Sequence, residues 1–444
     1  MKFWLRLSLV FCLLTSAGFA HAEGFALYEY SARGIALSGA MMARKPDASA
    51  VAYNPALLTR LPGTHAMAGV TTIYPQGKMA WKDPDLDDTK LKHGLWHIPH
   101  GYFTHQISDD WFFGVGEFTR FGLGFEYPHD WPGRFNIYEV NLTSFSINPN
   151  IAWKATEKLS LAAGVEIVYV NLDLRKRTYG DMSRLALGQK AGFEVDANIQ
   201  DADAWGVGGN FAMHYQFNEQ WAFGAQYRSP VRVHAYGDMQ YKNMGYSGPD
   251  TVINPGTMTP APGGAVANGL YKSMFNDGEA NATVILPDSV AFGLAWMPTP
   301  EFSIEIGAIW THWSNFRSLN IYLPDSNNPL TNKSFTKKDW RDTWRLNAGV
   351  EWQALDWLTL RAGYAYDEAP MTSKYADYLV PTANRNIYSA GIGIQYESWT
   401  VDFAYAYIHP KRRNYNPAPD RGVYESRPKD SFTQLFSVSI GYEF

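Results

Sequence analysis

Four histidines crowd one stretch of the chain, HGLWHIPHGYFTH: His93, His97, His100 and His105. Neutral imidazole is a common metal ligand, and His93 and His97 stand four apart, a spacing that pairs side chains on a helix. The segment does not read as helix, because Pro99 interrupts it and a loop followed by a strand fits it better. Loop and strand histidines are expected there, and no metal site. A second candidate, KDPDLDDTK from Lys82 to Lys90, gathers four aspartates. It lacks the glycine and terminal glutamate of a calcium loop and reads as a solvated outer loop. There is no Gly-x-Ser-x-Gly elbow, no Ser/His/Asp set gathered in one place and no nucleotide-binding motif. The expectation is therefore no enzyme and no cofactor.

The elements around these residues explain the lack of chemistry. Lys2 and Arg6 precede an apolar run from Leu7 to Phe19, and Ala20-His21-Ala22 is a small-x-small cleavage site. Residues 1–22 are expected to be an export signal, with the mature chain starting at Glu23. The single cysteine, Cys12, falls in that segment, so no disulfide is expected. Acidic residues outnumber basic ones, 43 to 38. That balance gives no support to nucleic-acid binding.

The 444 residues are 15% aromatic and 18% charged, with a mean hydropathy of −0.28. After residue 22 nothing approaches the roughly 18 continuous apolar residues of a membrane helix. The apolar residues alternate instead. Phe436, Val438, Ile440 and Tyr442 are separated by Ser437, Ser439 and Gly441. Trp399, Val401, Phe403, Tyr405 and Tyr407 alternate with Thr400, Asp402, Ala404 and Ala406, and Trp344 to Trp352 behaves likewise. Period two marks strands. Aromatic-ended faces opposite faces bearing Glu305, Glu351, Arg361 and Asp402 fit a membrane barrel better than a soluble sandwich.

Six short polar turns lead straight into a large apolar residue: Trp111, Leu159, Trp221, Phe302, Trp357 and Trp399. Rings at those positions suit a headgroup-level girdle. The opposite connections, such as residues 241–282 and 323–334, are long and polar. Six tight turns with both ends on the tight side imply seven long loops and 14 strands. The predicted class is all-β, a 14-stranded antiparallel transmembrane barrel spanning residues 64–444 in a bacterial outer membrane.

The pattern breaks in three places. Residues 23–63 are rich in Ala, Gly and Ser, with short helix-like clusters; Asn54 is placed to cap a helix beginning at Pro55, followed by Ala56. Too apolar for a tail, this segment is expected to plug the lumen as a hatch, which argues against an open porin. The third strand falters where Glu117 enters its apolar face, and Gly122 and Gly124 mark a bulge or kink. In the fifth, Leu161, Val165 and Ile167 give way to Val168, Val170, Leu172 and Leu174, which suggests a bulge near Ile167.

In order along the chain, GFALYEYSARGIALSGA, NPAL at Asn54 to Leu57, YRSPVRVHAYGDM, LPDSVAFGLAW, THWSNFRSLNI, WRDTWRLNAGVEW and LRAGYAYDEAPM resemble the FadL/TodX family of outer-membrane transporters. The similarity covers nearly the whole mature chain. It implies a barrel with an N-terminal hatch, capture of a hydrophobic ligand outside, a pocket above the hatch, and sideways exit at a kinked third strand near Phe118–Phe125. It further implies an N-terminus beside the pocket (Glu23, Gly24, Phe25 and Leu27), pocket aromatics Phe118 and Phe121, and carboxylate-binding cations near Arg175–Arg177 and Lys337–Arg341. Alternation favours Arg175, Arg177, Lys337, Arg341 and Arg345 as inward-facing.

An apolar tail with one anion asks for an apolar tunnel with a few placed cations. On the resemblance, long-chain fatty acids are the expected cargo, carried passively; aromatic or alkane hydrocarbons are the alternative, and an outer-membrane lipid hydrolase a remote one. Expected partners are hydrophobic small molecules, outer-membrane lipid and lipopolysaccharide, and the barrel-assembly machinery through the C-terminal strand.

Overall fold

The structure, a computed structural model, describes residues 24–92, 94–329 and 331–444. The expected export signal, Glu23 and His93 lie outside the described residues.

Fourteen antiparallel strands follow one another around a closed wall. They are β1 (Thr64–Trp81), β2 (Trp96–Gln106), β3 (Trp111–Phe118 and Leu123–Glu126), β4 (Glu139–Lys154), β5 (Leu159–Asp181), β6 (Gly192–Gln216) and β7 (Trp221–Arg228 and Val231–Ser247). Then come β8 (Gly278–Leu286 and Ser289–Thr299), β9 (Phe302–Thr311 and Ser318–Tyr322), β10 (Lys333–Lys337 and Thr343–Leu355), β11 (Leu358–Asp367), β12 (Arg385–Tyr396), β13 (Trp399–Pro410) and β14 (Ser426–Glu443). Closure is made by β14 on β1, from His65↔Glu443 through Val70↔Val438 to Trp81↔Ser426. A closed sheet leaves no edge whose amides would have to enter hydrocarbon unbonded.

The expected tight turns join β2 to β3, β4 to β5, β6 to β7, β8 to β9, β10 to β11 and β12 to β13. Their aromatics pair across strands on the outer surface. Trp111 stacks on Trp153 at 5.9 Å, Trp221 on Trp296 at 6.1 Å, and Trp399 meets Tyr442 at 4.6 Å. Above them Trp205, Val207, Ile306, Leu346 and Phe436 are exposed, as residues facing hydrocarbon should be.

The expected bulge near Ile167 is not there. The β4–β5 register keeps one offset from Glu139↔Arg175 through Ile147↔Ile167 to Lys154↔Ser160, with pairing interrupted but not shifted at Asn148 and Pro149, and β5 shifts against β6 only between Leu172 and Leu174. The apolar residues change sides because the lumen changes character. Low in the wall Val165 and Ile167 face outward. Higher up, Val170, Leu172 and Leu174 line an internal apolar chamber. Likewise β3 keeps its alternation through Phe118: Trp111, Val115 and Glu117 lie on one face, and Phe112 and Phe118 are buried on the other.

The hatch fills the lower lumen. Ser31 caps α1 (Ala32–Ala36) by accepting from the Gly34 amide at 3.1 Å. After α2 (Ala50–Tyr53), Asn54 caps a 3-10 turn at Pro55–Arg60 by accepting from the Ala56 amide at 3.1 Å. The Asn54 amide also donates to the carbonyls of Met42, at 2.6 Å, and Met213. One residue thus ties two hatch segments to β6.

The wall's inward charges explain themselves against this hatch. Glu305, fully buried, accepts from the amides of Met42, Ala43 and Arg44 at 2.6, 3.0 and 3.1 Å. Arg33 grips Glu351 through two bonds of 2.7 and 2.8 Å, and Arg361 bridges Glu351 and Asp402. Glu166 pairs with Arg120 at 2.8 Å and Arg228 at 3.0 Å; Arg228 also donates to the Ala52 carbonyl. Gly224 faces the hatch where a β-carbon would sit 1.9 Å from the Met42 carbonyl.

Candidate functional site

The wall has a window between β2 and β3. Their ladder runs from Gln106↔Phe112 to Gly101↔Glu117 and stops there. Above that pair, Trp96 to His100 bond to β1, and Leu123–Glu126 bond to β4. Among the described residues no ladder joins the two upper edges. Pro99 sits on the unpaired stretch of β2, where strands tolerate a residue without an N–H. The top is closed by the Lys92 amide donating to the Glu126 carbonyl at 2.8 Å, with an ion pair between the two side chains. Glu117 forms the sill.

The leading residues of the hatch cross this window from inside. Leu27 donates to the Arg120 carbonyl at 2.8 Å, Gly122 donates to the Phe25 carbonyl at 2.9 Å, and Ala26 bridges Phe121. The Phe25 ring is boxed by Trp313 at 4.8 Å, Phe316 at 5.8 Å, Phe121 at 5.9 Å and Trp340 at 6.0 Å. The contacts with Trp313 and Phe316 are edge-on and add to the apolar burial of the rings.

Behind the window lies a cavity of about 320 Å³, with Phe25, Leu27, Phe121, Gly122 and Gly124 in its lining. Its ionisable lining residues are Glu29, His97, Glu117, Tyr127 and Arg385. Phe25, Leu123, Leu142 and Val380 also border a second void of about 90 Å³, lined by apolar residues and Asn281. Loop residues 368–384 cover this chamber. Within that loop Tyr378 donates to the Tyr424 carbonyl and meets Ser426, and burial pushes its hydroxyl up to about 12, so it stays protonated. A vestibule of about 1190 Å³ opens outside, lined by both signs of charge, including Lys176, Arg177, Lys190, Asp83, Glu194 and Glu425.

The expected site residues do not all converge. Phe25, Leu27 and Phe121 meet at the window. Phe118 lies lower, packed against the hatch, 5.1 Å from Tyr30 and 6.2 Å from Tyr102. Arg345 is buried and faces inward, but it meets the hatch: the Ser38 carbonyl at 3.4 Å, Asp367 at 3.5 Å and the Tyr28 ring at 4.9 Å. Lys337 and Arg341 are exposed rather than inward; Lys337 stands 4.8 Å over Tyr375. Its neighbour Lys338 is the buried one, paired with Asp377 at 2.5 Å.

Arg175 lies in register with Glu139 and Asn198 and bonds both, on the face opposite Leu174. Arg177 is paired in register with Asp196 on that same face. Lys176 follows the chamber-lining Leu172 and Leu174 and lies close enough to Lys338 for their charges to interact. Two assumptions fail here together. The lumen-facing set is apolar around the chamber, so counting charged residues as inward reverses the true faces.

Trp96, Glu29, Arg385 and Val380 were not legible as site residues. Glu117 left a trace, as the charge that interrupts an apolar face. Of the histidines, His97 bonds Thr72, His100 is buried against Ser439, and His105 bonds Thr64. Glu126, His129 and Glu139 come within reach of one cation, yet Lys92 and Arg175 already pair with the two acids.

A closed barrel with a lipid-facing belt, a plugged lumen and an apolar chamber opening through its wall defines a passive outer-membrane transporter of hydrophobic compounds. The chain belongs to the family described as outer membrane protein transport protein (OMPP1/FadL/TodX), matching it over residues 13–444. It is a transport protein and not an enzyme. Outer membrane protein P1 of Haemophilus influenzae is 26% identical over the full length of both chains. The fold is shared with a Pseudomonas aeruginosa FadL homologue, at TM-score 0.78 and 20% identity over 95% of this chain and all of that one. It is also shared with the P. putida toluene transporter TodX, at TM-score 0.70 and 19% identity over 94% and 99%.

Proposed function

We propose that the cargo is a neutral hydrocarbon, aromatic or alkane, in preference to a fatty acid. One observation carries this reading: the cavity behind the window is bordered by two carboxylates, Glu29 and Glu117, while its one guanidinium, Arg385, is held by Asp367 at 2.7 Å. An incoming carboxylate would meet like charge at the sill, with little dielectric screening. The chamber above is apolar apart from Asn281. The relative TodX is itself a toluene transporter.

In this reading a hydrocarbon enters from the vestibule and settles in the chamber. Movement of Gly24 to Leu27 away from Phe121 and Gly122 then opens the window, and the cargo leaves sideways into lipid. Lateral exit moves an apolar solute from one apolar medium to another without crossing water. We further assign residues 1–22 as a removable export signal and β14 as the strand read by the barrel-assembly machinery. The exposed charged loops face lipopolysaccharide.

A second reading, fatty-acid transport, is favoured by Lys176, a cation on the chamber side of β5. The two separate in one assay, uptake of labelled toluene and oleate by cells whose only such channel is this protein. The hydrocarbon reading expects toluene uptake well above oleate uptake, with Glu117→Gln raising oleate. Oleate uptake exceeding that of toluene and abolished by Lys176→Met would replace it with the fatty-acid reading.

A further inference from the structure

The window has a shutter that belongs to the wall rather than to the hatch. Trp96 stands at the top of the unpaired edge of β2, on the less exposed face it shares with Ile98 and His100. Across the gap, Leu123 and Phe125 pair with chamber residues Leu142 and Val140, so Gly124 looks the other way, toward β2. A β-carbon on Gly124 would lie 2.2 Å from Trp96 Nε1 and 2.4 Å from Cε2. One on Gly94 would lie 2.4 Å from the far edge of the same ring. The indole therefore fills the gap between two strands that share no ladder, seated in a socket made by two missing side chains.

We propose that Trp96 sets the cross-section of the lateral exit and so determines which hydrophobic solutes leave. The proposal rests on the lateral route described above. Hatch residues hold the window through two backbone bonds, from the Leu27 amide and to the Phe25 carbonyl, which together pair Ala26 with Phe121, and moving them away clears the lower part. The upper part is still occupied by an indole fixed to the wall strand, whose only freedom is rotation of its own side chain. A flat single ring passes such a slit when the indole turns aside; a broader fused-ring solute does not. Removing the ring enlarges the slit without touching the ion pairs that secure the hatch, because Trp96 takes part in none of them.

The test measures uptake of toluene, naphthalene and phenanthrene by cells carrying wild type, Trp96→Ala, Trp96→Phe or Gly124→Leu. In Trp96→Ala the ratio of phenanthrene to toluene uptake rises about tenfold, the scale on which apolar pockets discriminate by size. Trp96→Phe gives an intermediate ratio. Gly124→Leu, which fills the socket and crowds the ring, lowers uptake of all three. If Gly124→Leu lowers uptake but Trp96→Ala leaves the ratio unchanged, the shutter is refuted and the lateral route stands. If neither variant has any effect, both are refuted. Retention of the folded, heat-modifiable band on electrophoresis establishes assembly for each variant, and Trp96→Phe alone decides the ratio should Trp96→Ala fail to assemble.

Discussion

The Cδ1 atom of Leu27 lies 2.9 Å from where a β-carbon on Gly122 would be, so the hatch residue occupies the space that the wall residue leaves vacant. Two backbone bonds flank this contact, Leu27 to the Arg120 carbonyl and Gly122 to the Phe25 carbonyl. The hatch tip is thus a short extra strand laid on the kink. Among the described residues no ion pair holds Gly24 to Leu27, whereas Arg33, Arg44 and Asp47 anchor the plug further along.

Gly122→Val should push Leu27 off its seat. Amide exchange at Ala26, Leu27 and Gly122 should accelerate about tenfold, local opening costing less than global unfolding. Exchange at Val51 to Tyr53 should not change. Hydrogen-exchange mass spectrometry in detergent reads both regions, and unaltered exchange at Leu27 would show that the seat does not hold it.

Glu305→Ala removes the acceptor of three hatch amides and leaves Arg44 buried beside the gap, its ion-pair partner at 3.7 Å gone. Stripping one member of a buried pair costs about 3–5 kcal/mol. The expected result is a lower midpoint of denaturant unfolding and a rise in ionic conductance across planar bilayers. Conductance equal to wild type would mean the remaining ties seal the lumen unaided.

Glu166 offers a different outcome, because it joins the kink itself to the wall. Through Arg120 it fixes the segment whose carbonyl receives Leu27, and through Arg228 it reaches the hatch at Ala52. Glu166→Ala strands two buried guanidinium groups and should lower the unfolding midpoint more than Glu305→Ala. Glu166→Gln keeps the shape and an acceptor and should cost less than Glu166→Ala. Equal losses for Gln and Ala would place the effect in packing rather than charge.

How legible was all this before the fold was known? Alternation in Trp399 to Tyr407 and Phe436 to Tyr442 defines strands with a lipid face, and six tight turns fix their number. Asn54-Pro55 announces a cap, and Gly122 and Gly124 announce the kink. The rule that lipid-facing means apolar works where the hatch makes the lumen polar, around Glu305, Glu351 and Asp402. It inverts beside the chamber, where Val170, Leu172 and Leu174 face inward and carry Lys176 with them. The switch of parity from Val165 and Ile167 to Val170, Leu172 and Leu174 marks that change in the sequence, but alternation alone does not distinguish it from a bulge. Trp96 was hidden for a related reason: its role depends on a missing partner strand.

Closure by β14 makes a prediction about assembly. Deleting residues 436–444 removes eight positions in register with β1, seven of them also in register with β13, together with the bond from the Phe444 amide to the Thr64 carbonyl at 3.0 Å. The truncated chain should fail to give a heat-modifiable folded species in detergent or vesicles, since an unpaired strand edge is not tolerated in hydrocarbon. A folded band of normal mobility would mean that the barrel closes elsewhere.

Sideways exit is tested most directly by photolabelling. A diazirine-bearing toluene analogue is activated in outer-membrane vesicles, and modified residues are mapped by mass spectrometry. The lateral route predicts adducts at Trp96, Leu123 and Leu142, around the window and chamber. Adducts at Val51, Leu57 and Leu58 in the hatch interior, with none at the window, would mean that cargo travels down through the plug, contrary to this account.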